Sequence, residues 1–423
     1  MPCLEVDVSR SRIPASELRR LQPRLRRAWR ALESDPAAGF LELPSRVTPL
    51  RQLRAAARDL AGFRDGVQLG IGGSSLGAQA IYRALSSSAS SPGVRLHFAD
   101  NVDPQSFGAL LDSLSPRRTL VHVVSKSGGT LETLAQLRAL LRNFSARDPH
   151  FRIRRRAIVT TGASGPLREF ARREGLRTLD FPEDVGGRFS ALTPSGLLLP
   201  VLVGIPVQRI LRGARDMRAR CADAPGAGPA GALAALGWLH DQRHHRPIHV
   251  QWIYSDALLP MGEWFRQLWA ESLGKGGRGP TPIVARGTTD QHSQLQLHAQ
   301  GPDDKLYTVL RVARRTRRVP LGPDPGLMDV GVRDLGEIFD AEAGGTVEAL
   351  VGAGRPVVQL WLERVSPEGL GELLMLQQLQ TALAGALYEV DPFDQPGVEL
   401  GKRAALKILR KGAGRGASGS PGA

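Results

Sequence analysis

The stretch Val67–Leu85, VQLGIGGSSLGAQAIYRAL, decides the fold. It begins as a short apolar strand, turns through the segment GGSSLG, and continues as the helix AQAIYRAL. The same succession of strand, turn and helix continues along the chain, with strands predicted at Val94–Ala99, Thr119–Val124, Ala157–Thr161 and Arg177–Phe181. Short apolar strands that alternate with amphipathic helices predict an α/β fold, in which helices cover both faces of a parallel sheet.

A second unit of similar plan follows the segment Ala222–Gly231, whose glycine, proline and alanine content predicts a linker. Beyond it, further strands are predicted at 248–254, 282–285, 306–312 and 357–362. We therefore expect a helical N-terminal segment over 1–55, α/β units over 56–222 and 232–410, and a disordered tail over 411–423. The second unit ends in C-terminal helices. The helix Ala15–Leu32 in the N-terminal segment is expected to be interrupted near Pro23.

Composition limits the function classes. The 423 residues contain no apolar run near the roughly 20 residues of a membrane helix, and the N-terminus lacks the apolar core of a signal peptide. Two distant cysteines, Cys3 and Cys221, predict neither disulfides nor a metal knuckle and suit the cytoplasm. The net charge of +15 could indicate nucleic acid, but the basic clusters Arg152–Arg156 and Arg311–Arg318 lack interleaved aromatics. We interpret them as solvated faces; a small anionic substrate fits the charge at least as well.

Two glycine-rich turns are candidates for anion binding. Leu69–Gly77 follows a strand and opens a helix, where backbone N–H groups hold anions. It lacks the dinucleotide fingerprint, because Ser75 replaces a glycine, and it is no P-loop, because Ala78 replaces the lysine. An ordinary tight turn is the alternative. SKSGGT, Ser125–Thr130, repeats the arrangement with three hydroxyls, so both turns can converge on one phosphomonoester.

The segment Pro260–Gly277, PMGEWFRQLWAESLGKGG, predicts an amphipathic helix with a carboxylate near its apolar face. Glu271 lies seven residues after Trp264 and three after Leu268, so it follows the seam that these side chains form. A glutamate in an apolar groove holds its proton more tightly, which suits a general base or acid. The alternative is an exposed ion pair between Glu271 and Lys275.

Other candidates stand in loops. Arg188 occupies the glycine-rich bend GGRFS, and His292 follows a strand in GTTDQHSQLQLHAQG, a plausible place for an acid–base group. His240 and His244 are spaced like a zinc pair on a helix but have no third ligand nearby. DQPGVELGK sets Gln395 and Lys402 around a helix start.

Taken together, these segments resemble the glucose-6-phosphate isomerase family in its compact bacterial form. The chain has LGIGGSSLG, VVSKSGGTLET, VGGRFSALTPSGLLLP, WFRQLWAESLGK, GTTDQHSQLQLHAQG and DQPGVELGK in the family's order, over residues 69–402. The resemblance implies two sugar-isomerase domains of the SIS type, each an αβα sandwich around a parallel sheet. It also implies a sugar-phosphate substrate, no cofactor or metal, no nucleic-acid or membrane partner, and a homodimer.

The resemblance assigns roles residue by residue. Glu271 would move a proton between C2 and C1 through a cis-enediol, while His292, donated by the partner subunit, and Lys402 would open the sugar ring. Arg188 would steady the negative intermediate. The substrate-binding residues that the resemblance implies are Gly73, Ser74, Ser125, Lys126, Ser127, Thr130, Gly187, Gln267 and Gln395.

Two positions depart from the family pattern. Gly129 stands in the phosphate loop where relatives more often have threonine, and Leu273 stands where many have asparagine. Neither transfers a proton, so we expect an active enzyme that interconverts glucose 6-phosphate and fructose 6-phosphate. The alternatives are an isomerase that acts on mannose 6-phosphate or an amino sugar, and a non-catalytic sugar-phosphate sensor.

Overall fold

The computed structural model describes residues 2–59, 62–86, 94–322 and 331–416. The strands are β1 (Leu4–Asp7), β2 (Asp65–Leu69), β3 (Arg95–Ala99), β4 (Thr119–Ser125), β5 (Ala157–Thr161), β6 (Arg177–Asp180), β7 (Ile248–Ile253), β8 (Thr281–Arg286), β9 (Lys305–Val312) and β10 (Val357–Leu362). The helices are α1 (Ala15–Ser34), α2 (Val47–Asp59), α3 (Leu76–Leu85), α4 (Pro104–Ser113), α5 (Leu131–Arg147), α6 (Pro166–Arg173), α7 (Pro194–Leu202), α8 (Val207–Asp223), α9 (Pro229–Gln242), α10 (Leu259–Leu273), α11 (Thr289–Ser293), α12 (Leu295–Gln300), α13 (Leu335–Gly352), α14 (Pro367–Tyr388) and α15 (Val398–Gly416).

These strands form two five-stranded sheets. The first has the order β3-β2-β4-β5-β6 and is parallel throughout. The second has the order β1-β10-β9-β7-β8, with four parallel strands and β1 antiparallel at its edge. The predicted α/β class with two parallel sheets is therefore confirmed. Four consecutive strands of the second sheet, β8-β7-β9-β10, repeat the order β3-β2-β4-β5 of the first.

Helix α14 is the central packing element. Almost all of its side chains are buried, because it lies against α8, α9 and α10 rather than on one sheet face. A helix that is apolar on all sides is stable only inside the protein. One hydrophobic cluster accordingly includes Leu120 of the first sheet, Leu310 of the second and Leu376 of α14. The two sheets thus share a core.

The segment Ala222–Gly231 forms the packed turn between α8 and α9. Gly226 has a left-handed φ of 85°, and a Cβ atom there would lie 2.8 Å from the carbonyl oxygen of Gln22 on α1. The close approach explains the glycine, since any side chain would collide with backbone. The proposed boundary between residues 222 and 232 falls at this turn.

The N-terminal segment contains a strand that the sequence did not indicate. β1 pairs with β10, with Leu4 opposite Leu362, so the beginning of the chain completes the second sheet. The backbone N–H groups of Cys3 and Leu4 each donate to the buried carboxylate of Glu372, at 3.0 Å. Glu372 also accepts a hydrogen bond from Arg220, which balances its charge.

Two helix predictions need correction. Helix α1 continues through Pro23 to Ser34 without interruption. Both Pro23 and Arg19, whose carbonyl loses its helical hydrogen bond, are exposed, so water can satisfy that carbonyl. Helix α15 extends to Gly416, past the predicted start of a disordered tail at residue 411, and residues 417–423 lie outside the described residues.

On helix α15, the side chains from Leu400 to Arg410 are exposed. Leu400 is 74% exposed and Ile408 70% exposed, which is unusual for large apolar side chains. Within the described parts of the chain, no helix is both long enough and apolar enough to cross a membrane.

Candidate active site

Three segments of the chain meet where the strands of the first sheet end. A Cβ atom on Gly73 would lie 2.2 Å from the carbonyl oxygen of Gly187, so the turn after β2 touches the backbone of the 187–192 segment. Gly72 has a φ of 55°, and a Cβ there would lie 2.7 Å from Nε2 of Gln267 on α10. Only glycines allow this approach, which brings α10 beside the first glycine-rich turn.

Glu271 lies at the edge of the apolar seam of α10, not within it. Its side chain is 28% exposed, and Oε1 accepts a hydrogen bond of 3.0 Å from Gln267. Oε2 lies 3.7 Å from the guanidinium of Arg188. The predicted apolar groove around this carboxylate is therefore wrong: its neighbours are an amide and a cation. The alternative pairing is wrong too, because Lys275 pairs with Asp394 instead.

Arg188 is the most buried charged group of the site, with a side chain 2% exposed. Burial lowers the pKa of its guanidinium, and the carboxylate of Glu271 opposes that shift. Four of its five N–H donors form hydrogen bonds, to Ser272 Oγ at 2.7 Å, Gln395 Oε1 at 3.2 Å, and the carbonyl oxygens of Pro392 and Asp394. Arg188 thereby joins α10 to the loop that precedes α15.

The second glycine-rich turn forms a cradle of hydroxyls at the N-terminus of α5. The hydroxyls of Ser125 and Thr130 lie 2.8 Å apart in a hydrogen bond, and the N–H of Gly129 donates to Ser127 Oγ at 3.3 Å. Thr130 is the N-cap residue of α5 but makes no side-chain capping bond. Helix N-termini with free N–H groups and hydroxyls are suited to a phosphate dianion.

Lys126 points away from this cradle. Its ammonium group donates to the carbonyl oxygens of Glu183, at 3.0 Å, and Val185, at 2.8 Å. Burial lowers the pKa of Lys126. Its contacts fasten the hydroxyl cradle to the segment that leads into Arg188.

His292 and Lys402 lie on exposed parts of the chain. His292 is on the short helix α11 and lines an open cavity of about 390 Å³ with Leu295, Gln296 and Ala349. Lys402 is on the exposed face of α15, one turn after its start. Gln395, by contrast, reaches the site through its bond to Arg188.

Comparison with known proteins supports a family assignment. The family model described as "Phosphoglucose isomerase" matches residues 57–303 and 343–418. The chain belongs to the phosphoglucose isomerase family. It is 43% identical over 399 residues to a glucose-6-phosphate isomerase of Rubrobacter xylanophilus, covering 92% of each chain. A glucose-6-phosphate isomerase of Thermus thermophilus is 41% identical, over 91% of this chain and 93% of that one.

Two solved structures have the same fold as this chain. A hypothetical protein of Thermus thermophilus superposes with a TM-score of 0.88 at 39% identity, over 96% of this chain and 99% of that one. A glucose-6-phosphate isomerase of Chlamydia trachomatis has a TM-score of 0.86 at 22% identity, over 97% and 89%. At that identity, the second likeness shows the fold alone.

A buried polar chain behind the first turn was not foreseen from the sequence. The amide of Gln68 donates to the carbonyl oxygens of Ser74, at 2.7 Å, and Ser195, at 3.1 Å. Its Oε1 lies 3.3 Å from Nδ1 of His122, whose Nε2 lies 2.8 Å from Thr160 Oγ1. Burial lowers the pKa of His122 to about 3, so the ring is neutral and links three strands. The sequence signal that could have revealed this chain is the presence of polar residues, Gln68, His122 and Thr160, within buried strands.

The histidine pair that resembles a zinc site has another role. His240 Nε2 lies 2.9 Å from the carbonyl oxygen of Ser11, and burial lowers the pKa of this histidine to about 3. Across the ranges that the structure describes, no group of three or more potential ligands could hold a metal ion.

Proposed function

We propose that this protein interconverts glucose 6-phosphate and fructose 6-phosphate, with Glu271 as the proton-transferring base. One observation carries the proposal: the Glu271 carboxylate lies between the amide of Gln267, which approaches the first glycine-rich turn, and the buried guanidinium of Arg188. The family and the names of the relatives support this substrate pair. Two unpaired cysteines suit a site of action in the cytoplasm.

The chemistry needs a carboxylate that can reach two adjacent carbons. The proton at C2 of the open aldose is acidified by the neighbouring carbonyl. Glu271 removes it while the C1 oxygen gains a proton, which gives a cis-enediol. Glu271 then returns its proton to C1 while the C2 hydroxyl loses its proton, which leaves the ketose. General acid–base help of this kind accelerates a reaction about 10²–10⁴-fold. Arg188, held rigidly by its own hydrogen bonds, offsets the charge that develops on the enediol oxygens.

The substrate phosphate would occupy the hydroxyl cradle. Ser125, Ser127 and Thr130 supply hydroxyls there, and α5 supplies its N-terminal dipole. Lys126 acts by fixing the cradle rather than by touching phosphate, as its two carbonyl contacts indicate.

The sugar would lie over Gly73, Ser74 and Gly187. The buried Oε1 of Gln267 has no hydrogen-bond partner among the described residues, so it can accept from a sugar hydroxyl.

We further propose that a homodimer completes the site, with His292 of the partner subunit assisting ring opening. His292 is exposed and lines a cavity of its own rather than joining the Arg188–Glu271 pair. Large, exposed apolar side chains lie near both residues, as expected for surfaces that a second copy covers: Leu400 and Leu409 on α15, which carries Lys402, and Leu297 on α12, which follows the helix that carries His292.

The proton-transfer role is tested by Glu271→Gln. The variant should lose exchange of the C2 proton with solvent while it still binds a non-reacting sugar-phosphate analogue. The matched control is Glu263→Gln on the same helix, whose carboxylate pairs with Arg266 away from the site and should leave exchange unchanged. Persistent exchange in Glu271→Gln would disprove the assignment. Parallel assays with mannose 6-phosphate and an amino sugar phosphate would define the substrate range.

The shared site is tested by mixing two inactive variants. Glu271→Gln and His292→Ala, unfolded and refolded together, should form hybrid dimers in which one of the two sites has both native groups. Random pairing then restores about a quarter of the wild-type activity, because half of the dimers are hybrids and half of their sites are intact. If both groups act within one chain, mixing restores nothing.

A further inference from the structure

The second sheet repeats the geometry that gives the first sheet its phosphate cradle. Strand β9 occupies the place in the order β8-β7-β9-β10 that β4 occupies in β3-β2-β4-β5. Segment 313–318 therefore follows β9 as the cradle Ser125–Thr130 follows β4. In open parallel sheets, ligands bind beyond the carboxyl ends of the strands, where neighbouring loops separate. The end of β9 is such a place.

A cavity is present at this end of the second sheet. Its volume is about 230 Å³, below the roughly 300 Å³ at which pockets for drug-sized ligands begin. It is lined by the ends of β9 and the segments after β7 and β10, namely Ser255, Val312, Arg314, Arg315, Thr316, Arg317 and Val365. Three arginines and two hydroxyls thus border a space that suits a small ligand.

The charge of this lining is not fully compensated. Arg315 pairs with Asp340, but its buried Nε has no hydrogen-bond partner among the described residues. Arg314 lies 3.2 Å from Glu363, which Arg364 also contacts at 3.3 Å, so one carboxylate serves two guanidinium groups. Arg317 is exposed and forms no ion pair within the described ranges. A net positive charge remains around the cavity.

We infer that this cavity is a second anion-binding site, whose ligand is inorganic phosphate or a small phosphate monoester. Guanidinium groups bind phosphate oxygens through paired N–H donors, and the hydroxyls of Ser255 and Thr316 add donors of the kind found in the cradle. The small volume and the absence of aromatic side chains from the described lining disfavour a nucleotide or a nucleic acid. The inference does not depend on the proposed isomerase activity, because the cavity belongs to the other sheet.

The test is a count of phosphate sites by equilibrium dialysis of the full chain with radiolabelled inorganic phosphate at low ionic strength. The wild type should bind two phosphates per chain. The double variant Arg314→Gln/Arg317→Gln should bind one, and so should Ser127→Ala/Thr130→Ala, which removes cradle hydroxyls. Combining the two pairs of substitutions should abolish both sites.

A matched control removes the same charge elsewhere. Arg154→Gln/Arg155→Gln changes two exposed arginines in the other basic cluster and should still bind two phosphates. The inference would be overturned if this control also lost one bound phosphate, or if Arg314→Gln/Arg317→Gln still bound two phosphates. Thermal melting of each variant checks that the fold is retained. Displacement by glycerol 3-phosphate at the second site would identify a monoester as its ligand, and no displacement would assign the site to the free ion.

Discussion

Replacing Arg188 by lysine should detach the loop before α15 from the active site. The guanidinium makes four hydrogen bonds, to Ser272, Pro392, Asp394 and Gln395, and its side chain is only 2% exposed. A lysine keeps the charge but has three donors at one point, so it can retain one or two of these bonds. Two or three bonds to a charged donor are therefore lost, and at about 1.5–3 kcal/mol each the total is about 3–9 kcal/mol.

Contacts that remain still hold the loop and offset part of this lost free energy. Lys275 still pairs with Asp394, and the ring of Phe393 still packs 5.2 Å from that of Phe189. We therefore expect limited proteolysis between Tyr388 and Val398 to accelerate at least about tenfold, which corresponds to about 1.4 kcal/mol of lost docking. Because the loop leads into α15 and Lys402, kcat/KM should fall by about 10²-fold or more.

The control is Arg266→Lys, a half-exposed arginine on α10 that pairs with Glu263. It should change neither proteolysis nor activity, because exposed ion pairs contribute little. If Arg188→Lys lost activity while the loop stayed as resistant as in the wild type, the anchoring role would be refuted and only a direct effect on substrate would remain. Wild-type activity in Arg188→Lys would refute both roles.

Three further predictions concern the support of the site. Gly73→Ala should lower kcat/KM about 10²-fold or more by forcing the turn away from Gly187, whereas Gly108→Ala, where the added Cβ meets nothing within 4 Å, should be neutral in the same kinetic assay. Gln68→Leu should lower the free energy of unfolding in urea by about 2–6 kcal/mol and raise KM, because the carbonyls of Ser74 and Ser195 lose their buried donor; an unchanged KM would argue against positioning of the turn. Stability should also fall between pH 8 and pH 5, because burial lowers the pKa of four histidines, which the unfolded chain protonates near pH 6.5: His122 (to about 3), His240 (to about 3), His249 (to about 4) and His298. At pH 5 each of the first three contributes a loss of about 2 kcal/mol, so glutamine at any one of these three should remove about 2 kcal/mol of the pH dependence measured by urea unfolding.

The sequence predicted most of the sheet because the buried strands are continuous apolar runs. The bounds of β5 and β10 agree with those predicted, and each strand is bordered by charged, glycine or proline residues. β1 could not be predicted in this way. Its four residues, LEVD, carry two charges, and its partner strand lies more than 300 positions along the chain. Only the tertiary structure brings them together.

The motifs in the sequence indicate residue types but not the directions of side chains. They indicated Glu271, Arg188 and the hydroxyls of the cradle, and the structure places the Glu271 carboxylate 3.7 Å from the Arg188 guanidinium and the hydroxyl of Ser125 2.8 Å from that of Thr130. They did not indicate that Lys126 turns toward backbone carbonyls, because a side chain's direction depends on acceptors far away in the sequence. The role of Gln68 was missed for the same reason, since its partners come from two other segments.

The position of β1 has a consequence for synthesis on the ribosome. The strand is among the first residues to emerge, yet its partner β10 (Val357–Leu362) follows about 350 residues later. At a translation rate of about 5–20 residues per second, the N-terminal segment waits about 20–70 s before its pairing partner exists. The first sheet, by contrast, is complete in sequence by β6, which ends at Asp180. The second sheet is therefore the later of the two to be completed, and the strand that completes it is among the first residues to be synthesised.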